Sequence, residues 1–147
     1  MELVERESYL ELLQKRFSTV AESEGHCVFV SGEAGIGKTA LVKAFCKQQQ
    51  TDCTIYQGAC DALFTPRPLA PLYDIIWQVG SDLLPASHTI EQRSELFLNF
   101  FHALSSRKEK ILIVFEDIHW ADEATLDFIK FFLRRIVQLR CLFILTY

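Results

Sequence analysis

Long uniform runs are missing from this chain. Its apolar runs, Ile111 to Phe115 and Cys141 to Leu145, are far shorter than the ~20 residues that cross a bilayer. No basic run occurs, and 15 Lys and Arg stand against 19 Asp and Glu, a net charge of -4. That balance argues against direct nucleic-acid contact, which shows as a basic patch. Cysteine numbers only five, at Cys27, Cys46, Cys53, Cys60 and Cys141. An odd number at irregular spacing is not a disulfide framework. No Cys-x-x-Cys pair and no His-Glu-x-x-His occurs, which excludes the common zinc patterns. Free thiols fit a reducing compartment, and Cys27 and Cys141, inside apolar runs, read as small core residues. The start, Met1-Glu2-Leu3-Val4-Glu5, is acidic and unlike a secretory signal. Neither an internal repeat nor a low-complexity tract is found. These absences lead us to expect one soluble, cytoplasmic domain without membrane contact over 147 residues.

Half of the residues are hydrophobic, enough for a core, and their spacing alternates between two periods. Leu10, Leu13, Phe17 and Val20 recur at steps of three and four, predicting a helix over Arg6 to Val20. Cys27-Val28-Phe29-Val30 is a short run of β-formers. Thr39 to Gln50 returns to the helical period, with Leu41, Val42, Phe45 and Cys46 inward. Thr54-Ile55-Tyr56 reads as a second strand and Thr65-Pro66-Arg67-Pro68 as a loop. Pro71 suits the first turn of a helix carrying Leu72, Ile75, Ile76 and Val79. Ile90 to Ser105 is a further helix with Leu96, Phe97, Phe100, Phe101 and Leu104. Ile111 to Phe115 is apolar throughout, as expected of a strand buried on both faces. Asp122 is placed to cap a helix whose apolar face holds Leu126, Ile129, Phe132, Leu133 and Ile136. Leu142 to Leu145 is a last strand. Strands alternating with helices predict an α/β fold, a mostly parallel sheet flanked by helices in three layers.

One loop carries a chemical signature. Gly32-Glu33-Ala34-Gly35-Ile36-Gly37-Lys38-Thr39, followed by Ala40, lies between a buried strand and a helix. Backbone N–H groups can surround phosphates only where side chains stay clear, hence glycine at 32, 35 and 37. The following helix offers unpaired N–H groups and partial positive charge. Lys38 is expected on the β- and γ-phosphates of ATP, and Thr39 on magnesium. Glu116-Asp117 ends the strongest strand, the edge of a parallel sheet where ligands bind. One acid is expected on the magnesium side and one toward attacking water, and the sequence leaves open which does which.

Phe115-Glu116-Asp117-Ile118-His119-Trp120-Ala121-Asp122, together with the phosphate loop, resembles the ATPase domain of the STAND class of P-loop NTPases. These are signal-transduction ATPases of the AAA-like branch, as found with LuxR-type regulators and class III nucleotide cyclases. Leu3-Val4-Glu5-Arg6-Glu7 resembles the N-terminal signature near the adenine, which implies nucleotide contacts for Val4 and Arg6. Pro68-Leu69-Ala70-Pro71-Leu72 resembles a segment after the second strand. Glu5 stands where glycine is usual, and Glu116 where aspartate is commoner. The resemblance implies strand order 5-1-4-3-2, with Cys27–Ser31, Thr54–Gln57, Ile111–Glu116 and Cys141–Thr146 as strands 1 to 4. Strand 5, a helical lid and a winged helix would follow Tyr147, so we expect a truncated module with strand 1 as a bare edge open to another chain. Thr146 falls at a polar sensor position. ATP is implied over GTP, and the guanine-reading Asn/Thr-Lys-x-Asp motif does not occur.

Two functions follow from these residues. One is slow ATP hydrolysis as the switch of a signalling protein, using Lys38, Thr39, Glu116 and Asp117. The other is a nucleotide-responsive interaction module, or a fragment, without significant turnover. Either way ATP or ADP and the other domains or chains of a signalling protein are the expected partners. His119 either touches the nucleotide or packs. Arg134 and Arg135 either reach a neighbouring subunit or solvate a helix end.

Overall fold

The computed structural model describes residues 3–22, 24–32, 37–51, 53–60, 62, 67–80 and 90–147, without the side chains of residues 3–6, 21–22 and 90–92. The Thr65-Pro66 part of the expected loop therefore lies outside the described residues.

Helix α1 (Leu3–Glu22) leads into strand β1 (His26–Val30). Helix α2 (Lys38–Gln49) and strand β2 (Thr54–Ala59) follow. Helices α3 (Ala70–Val79) and α4 (Ile90–Ser105) precede strand β3 (Ile111–Glu116). A 3-10 turn (Ile118–Trp120), helix α5 (Glu123–Leu133), a second 3-10 turn (Ile136–Gln138) and strand β4 (Cys141–Thr146) complete the order. The four strands are parallel in the order β1-β4-β3-β2. This is the 1-4-3-2 arrangement that the resemblance implied. Strand β1 lies at one edge, with Phe29 54% exposed and edge-on to Tyr147 at 6.2 Å.

Alternation along the central strands divides the core in two. Leu112, Val114, Leu142 and Ile144 face Leu13, Phe17 and Val20 of α1 and Leu41, Val42 and Phe45 of α2. Ile111, Ile113, Phe115, Cys141, Phe143 and Leu145 face the opposite way, into α3, α4 and α5. Strands β3 and β4 are buried on both faces because each face has its own helical cover. Phenylalanines dominate the second half. The Phe128 ring lies 5.2 to 5.8 Å from those of Phe97, Phe100, Phe115 and Phe132.

Two expectations are corrected. Helix α5 buries Ala124, Thr125, Phe128, Ile129 and Phe132, whereas Leu126 is exposed. Ile136 is buried from the 3-10 turn beyond the helix and not from its face. Cys141 is fully buried, but Cys27 only half so. Burial pushes the Cys27 thiol up to about 12, which makes it inert rather than nucleophilic. Asp122 caps α5, its carboxylate accepting the Ala124 N–H at 3.1 Å, and Pro71 sits in the first turn of α3. No helix among the described residues is long and apolar enough to cross a membrane.

Candidate functional site

The C-terminal ends of β1, β3 and β4 meet at one edge of the sheet, and the candidate site is built there. Gly37 closes the phosphate loop in the left-handed region, φ 94°, where a side chain would be strained. Its carbonyl accepts the Leu41 N–H at 2.9 Å, the first bond of α2. The helix therefore starts at Lys38 with its free N–H groups toward the loop. The Lys38 ammonium donates to the carbonyl oxygens of Gly32 and Tyr147, both at 2.7 Å. One lysine thus ties the end of β1 to the end of β4.

Asp117 leaves β3 in the left-handed conformation, φ 58° and ψ 47°. This is uncommon outside glycine but tolerated by aspartate. Its N–H donates to the buried Thr146 hydroxyl at 3.0 Å. The 3-10 turn closes behind it: Trp120 N–H donates to the Asp117 carbonyl and Ala121 N–H to that of Ile118, both at 3.0 Å. His119 and Trp120 lie with their rings 5.1 Å apart.

Gly32, Gly37, Lys38, Thr39, Ala40, Asp117, His119, Trp120 and Tyr147 line one open cavity of about 730 Å³. The fold therefore brings together six residues of the expected nucleotide site, places His119 and Trp120 of the family-like motif on the same cavity, and adds Tyr147. Tyr147 was missed altogether; its place just past the end of a parallel strand was the available signal. Glu116 behaves differently. Its carboxylate belongs to the face of β3 that looks at α2, where Lys43 and Cys46 feel its charge. Burial and the neighbouring Asp117 raise its pKa, and Lys43 only partly opposes this. Glu33, Ala34, Gly35 and Ile36 lie outside the described residues, as do the side chains of Val4 and Arg6, whose backbone is in α1. Arg135, just past the end of α5, stacks on Phe131 of that helix, 3.9 Å from the ring centre, and donates to the Phe131 carbonyl at 3.0 Å.

The donor set fits a triphosphate with magnesium. An ammonium and a helix N-terminus face the same space as a hydroxyl and a carboxylate. Among the described residues no group of three or more His, Cys, Asp and Glu could hold a metal ion. Magnesium is commonly held by one or two protein oxygens plus phosphate oxygens and water, which this cavity can supply.

Comparison with known proteins agrees with this geometry. The chain superposes on the crystal structure of Cdc6p from Pyrobaculum aerophilum with a TM-score of 0.69 and 18% identity. That match covers 99% of this chain and 40% of the other. A structure of Drosophila ORC bound to DNA gives a TM-score of 0.61 and 19% identity, over 97% of this chain and 37% of the other. The chain thus spans about two fifths of the length of these solved relatives, and at such identities the likeness is one of fold. No curated protein matches the sequence significantly. The family profile described as "AAA ATPase domain" matches residues 2–144. With a parallel 1-4-3-2 sheet, a phosphate loop between β1 and α2 and an acid at the end of β3, the chain belongs to the AAA ATPase domain family.

Proposed function

We propose that this domain binds ATP with magnesium at the edge of its sheet and hydrolyses it slowly, as the switch of a STAND-class signalling ATPase. The observation that carries this reading is the convergence of Lys38, Thr39 and Asp117 on one cavity. Lys38 would exchange its two carbonyl partners for phosphate oxygens, a charge-assisted contact stronger than the ones it leaves. Gly32, Ala40 and the loop residues 33–37 would surround the phosphates, and Val4 and Arg6 the adenine side. Thr39 would hold magnesium, whose bound charge neutralises the phosphates. Asp117 would orient water, its carboxylate held in place by the bond from its own N–H to Thr146. Other domains or chains of a signalling protein would read the nucleotide state.

A second reading, binding without significant turnover, is favoured by Glu116. Its carboxylate is set against Lys43 and Cys46 rather than on the cavity lining. That leaves Asp117 as the sole acid among the described lining residues.

Calorimetric titration with ATP, with and without magnesium, tests the assignment beside Lys38→Ala. Magnesium-dependent binding that weakens about ten-fold or more in the variant is expected, since a charge-assisted bond is worth ~1.5–3 kcal/mol. Equal binding by parent and variant would remove Lys38 from the site. Phosphate release then separates the two readings.

A further inference from the structure

The turn that carries His119 and Trp120 is held at both ends. At its start the Asp117 N–H donates to the Thr146 hydroxyl. Past its end, Asp122 makes a different kind of anchor. Its carboxylate accepts the Ala124 N–H at 3.1 Å and the hydroxyl of Thr125, a fully buried side chain. It also accepts, on both oxygens at 3.3 Å, the N–H of Leu69, which is 53 residues away in sequence.

Leu69 is itself unusual. It is 3% exposed, and its φ of 57° is left-handed, a strained choice for a leucine. Its carbonyl accepts the Tyr73 N–H at 3.0 Å and so begins α3. A strained, buried residue with an inward N–H needs an acceptor, and Asp122 provides it. Asp122 is outside the cavity lining, whereas Asp117, His119 and Trp120 are part of it. Its bonds join two helix starts, one of them at the far end of the turn. With internal bonds at Trp120 and Ala121, residues 117–122 form a short rigid bridge between two pins. Release of either pin lets the bridge pivot on the other.

We propose that Asp122 is a positioning residue: by tethering the Leu69 N–H it holds the Asp117–Trp120 turn at the cavity it shares with Gly37, Lys38 and Thr39 and couples the start of α3 to the nucleotide site. This deepens the proposed ATP site and rests on it for the catalytic consequence. The mechanical consequence stands alone.

The test separates the tether from the helix cap. Asp122→Ser still caps α5 but is too short to reach Leu69 as well, whereas Asp122→Ala loses both contacts. With Trp77→Phe as background, Trp120 is the sole tryptophan, since the chain has two. Nanosecond fluorescence depolarisation then reports the mobility of the turn without nucleotide. Asp122→Ser is expected to melt somewhat below the parent, because the buried Leu69 N–H loses its acceptor, and to show about twofold greater fast depolarisation. Asp122→Ala should match that mobility and melt lower. For Mg-ATP, the Ser variant should lose about ten-fold or more in kcat while Kd stays within about twofold, since small misplacements act on the reacting geometry.

Depolarisation equal to the parent in the Ser variant overturns the proposal, and Asp122 is then only a cap. Raised depolarisation with kcat at the parental value overturns the coupling. If the parent binds no nucleotide, the proposed ATP site fails, and the depolarisation of the Ser variant still decides whether the tether holds the turn.

Discussion

Gly58→Ala is a one-carbon change whose cost can be worked from the structure. Gly58 lies in β2, directly beneath the start of α3. A methyl there would meet the Pro71 carbonyl oxygen at 2.3 Å, its Cα at 2.8 Å and its carbonyl carbon at 2.9 Å. All three are backbone atoms, so no side chain can rotate away, and roughly 1 Å of displacement is needed for ordinary contact. Helix α3 cannot give that much freely. Leu72, Ile75 and Ile76 have no exposed surface, and Leu69 is tethered to Asp122. Strand β2 is fixed in turn by its register with β3, Gly58 opposite Phe115. Overpacking of this kind costs about 1–3 kcal/mol, and a backbone obstacle puts the expected loss near ~3 kcal/mol. At roughly 2–4 °C per kcal/mol for a chain of this size, Tm should fall by about 10 °C. Urea unfolding followed by circular dichroism measures the loss. A variant within about 1 kcal/mol of the parent would mean that α3 is seated more loosely on β2 than these distances require.

Further outcomes are expected elsewhere. Phe128→Ala removes a ring packed against four others and should cost about 3–5 kcal/mol; a loss under half of that in urea would contradict its central place. Glu116 has a raised pKa, so its contribution favours the fold below the ordinary 4.5 and is lost as pH rises through the folded value. Relative to the parent, Glu116→Gln should therefore gain stability between pH 4.5 and 7; a relative loss over that range, measured in urea, would show that burial is not the dominant influence on this carboxylate. Asp117→Asn should lower phosphate release by about 10²-fold, with less effect on ATP binding. Equal losses in both assays would assign Asp117 to the metal instead of the water.

Much of this was legible because it depends on local pattern. The five apolar residues of β3 can only be a strand covered twice, and Leu13, Phe17 and Val20 share a face by helical geometry alone. Glycine at 37 was expected for keeping side chains clear of phosphate, and the structure adds that the start of α2 uses its positive φ. Helix α5 was harder. Leu126, Phe128, Ile129, Phe131, Phe132 and Leu133 are apolar nearly all round, so periodicity does not select a stripe. The choice was made by α4, whose Phe97 and Phe100 receive Phe128. Strand alternation alone would set Glu116 and Asp117 on opposite faces. In the structure Asp117 has already left the strand, and its left-handed backbone directs it to the cavity. The Asp122–Leu69 contact had no sequence signal, because nothing local in either residue specifies a partner 53 positions away.

The strand order has a consequence for the timing of folding. Strand β1, which delivers the phosphate loop, pairs with β4, the strand furthest from it in sequence among the four described. Lys38 likewise finds its carbonyl partner 109 residues downstream. Closing so long a loop is slow, and its entropy must be met before the contact gives anything back. A ribosome-bound chain therefore carries its phosphate loop long before it has a sheet edge to hold that loop. Strands β2 and β3 can pair early, with α3 above them, while β1 waits. A ligand of the loop can favour the native fold only after β4 has slotted between β3 and β1. Until then the apolar β1 is a strand in search of a neighbour, and the nascent domain is most vulnerable to mispairing there.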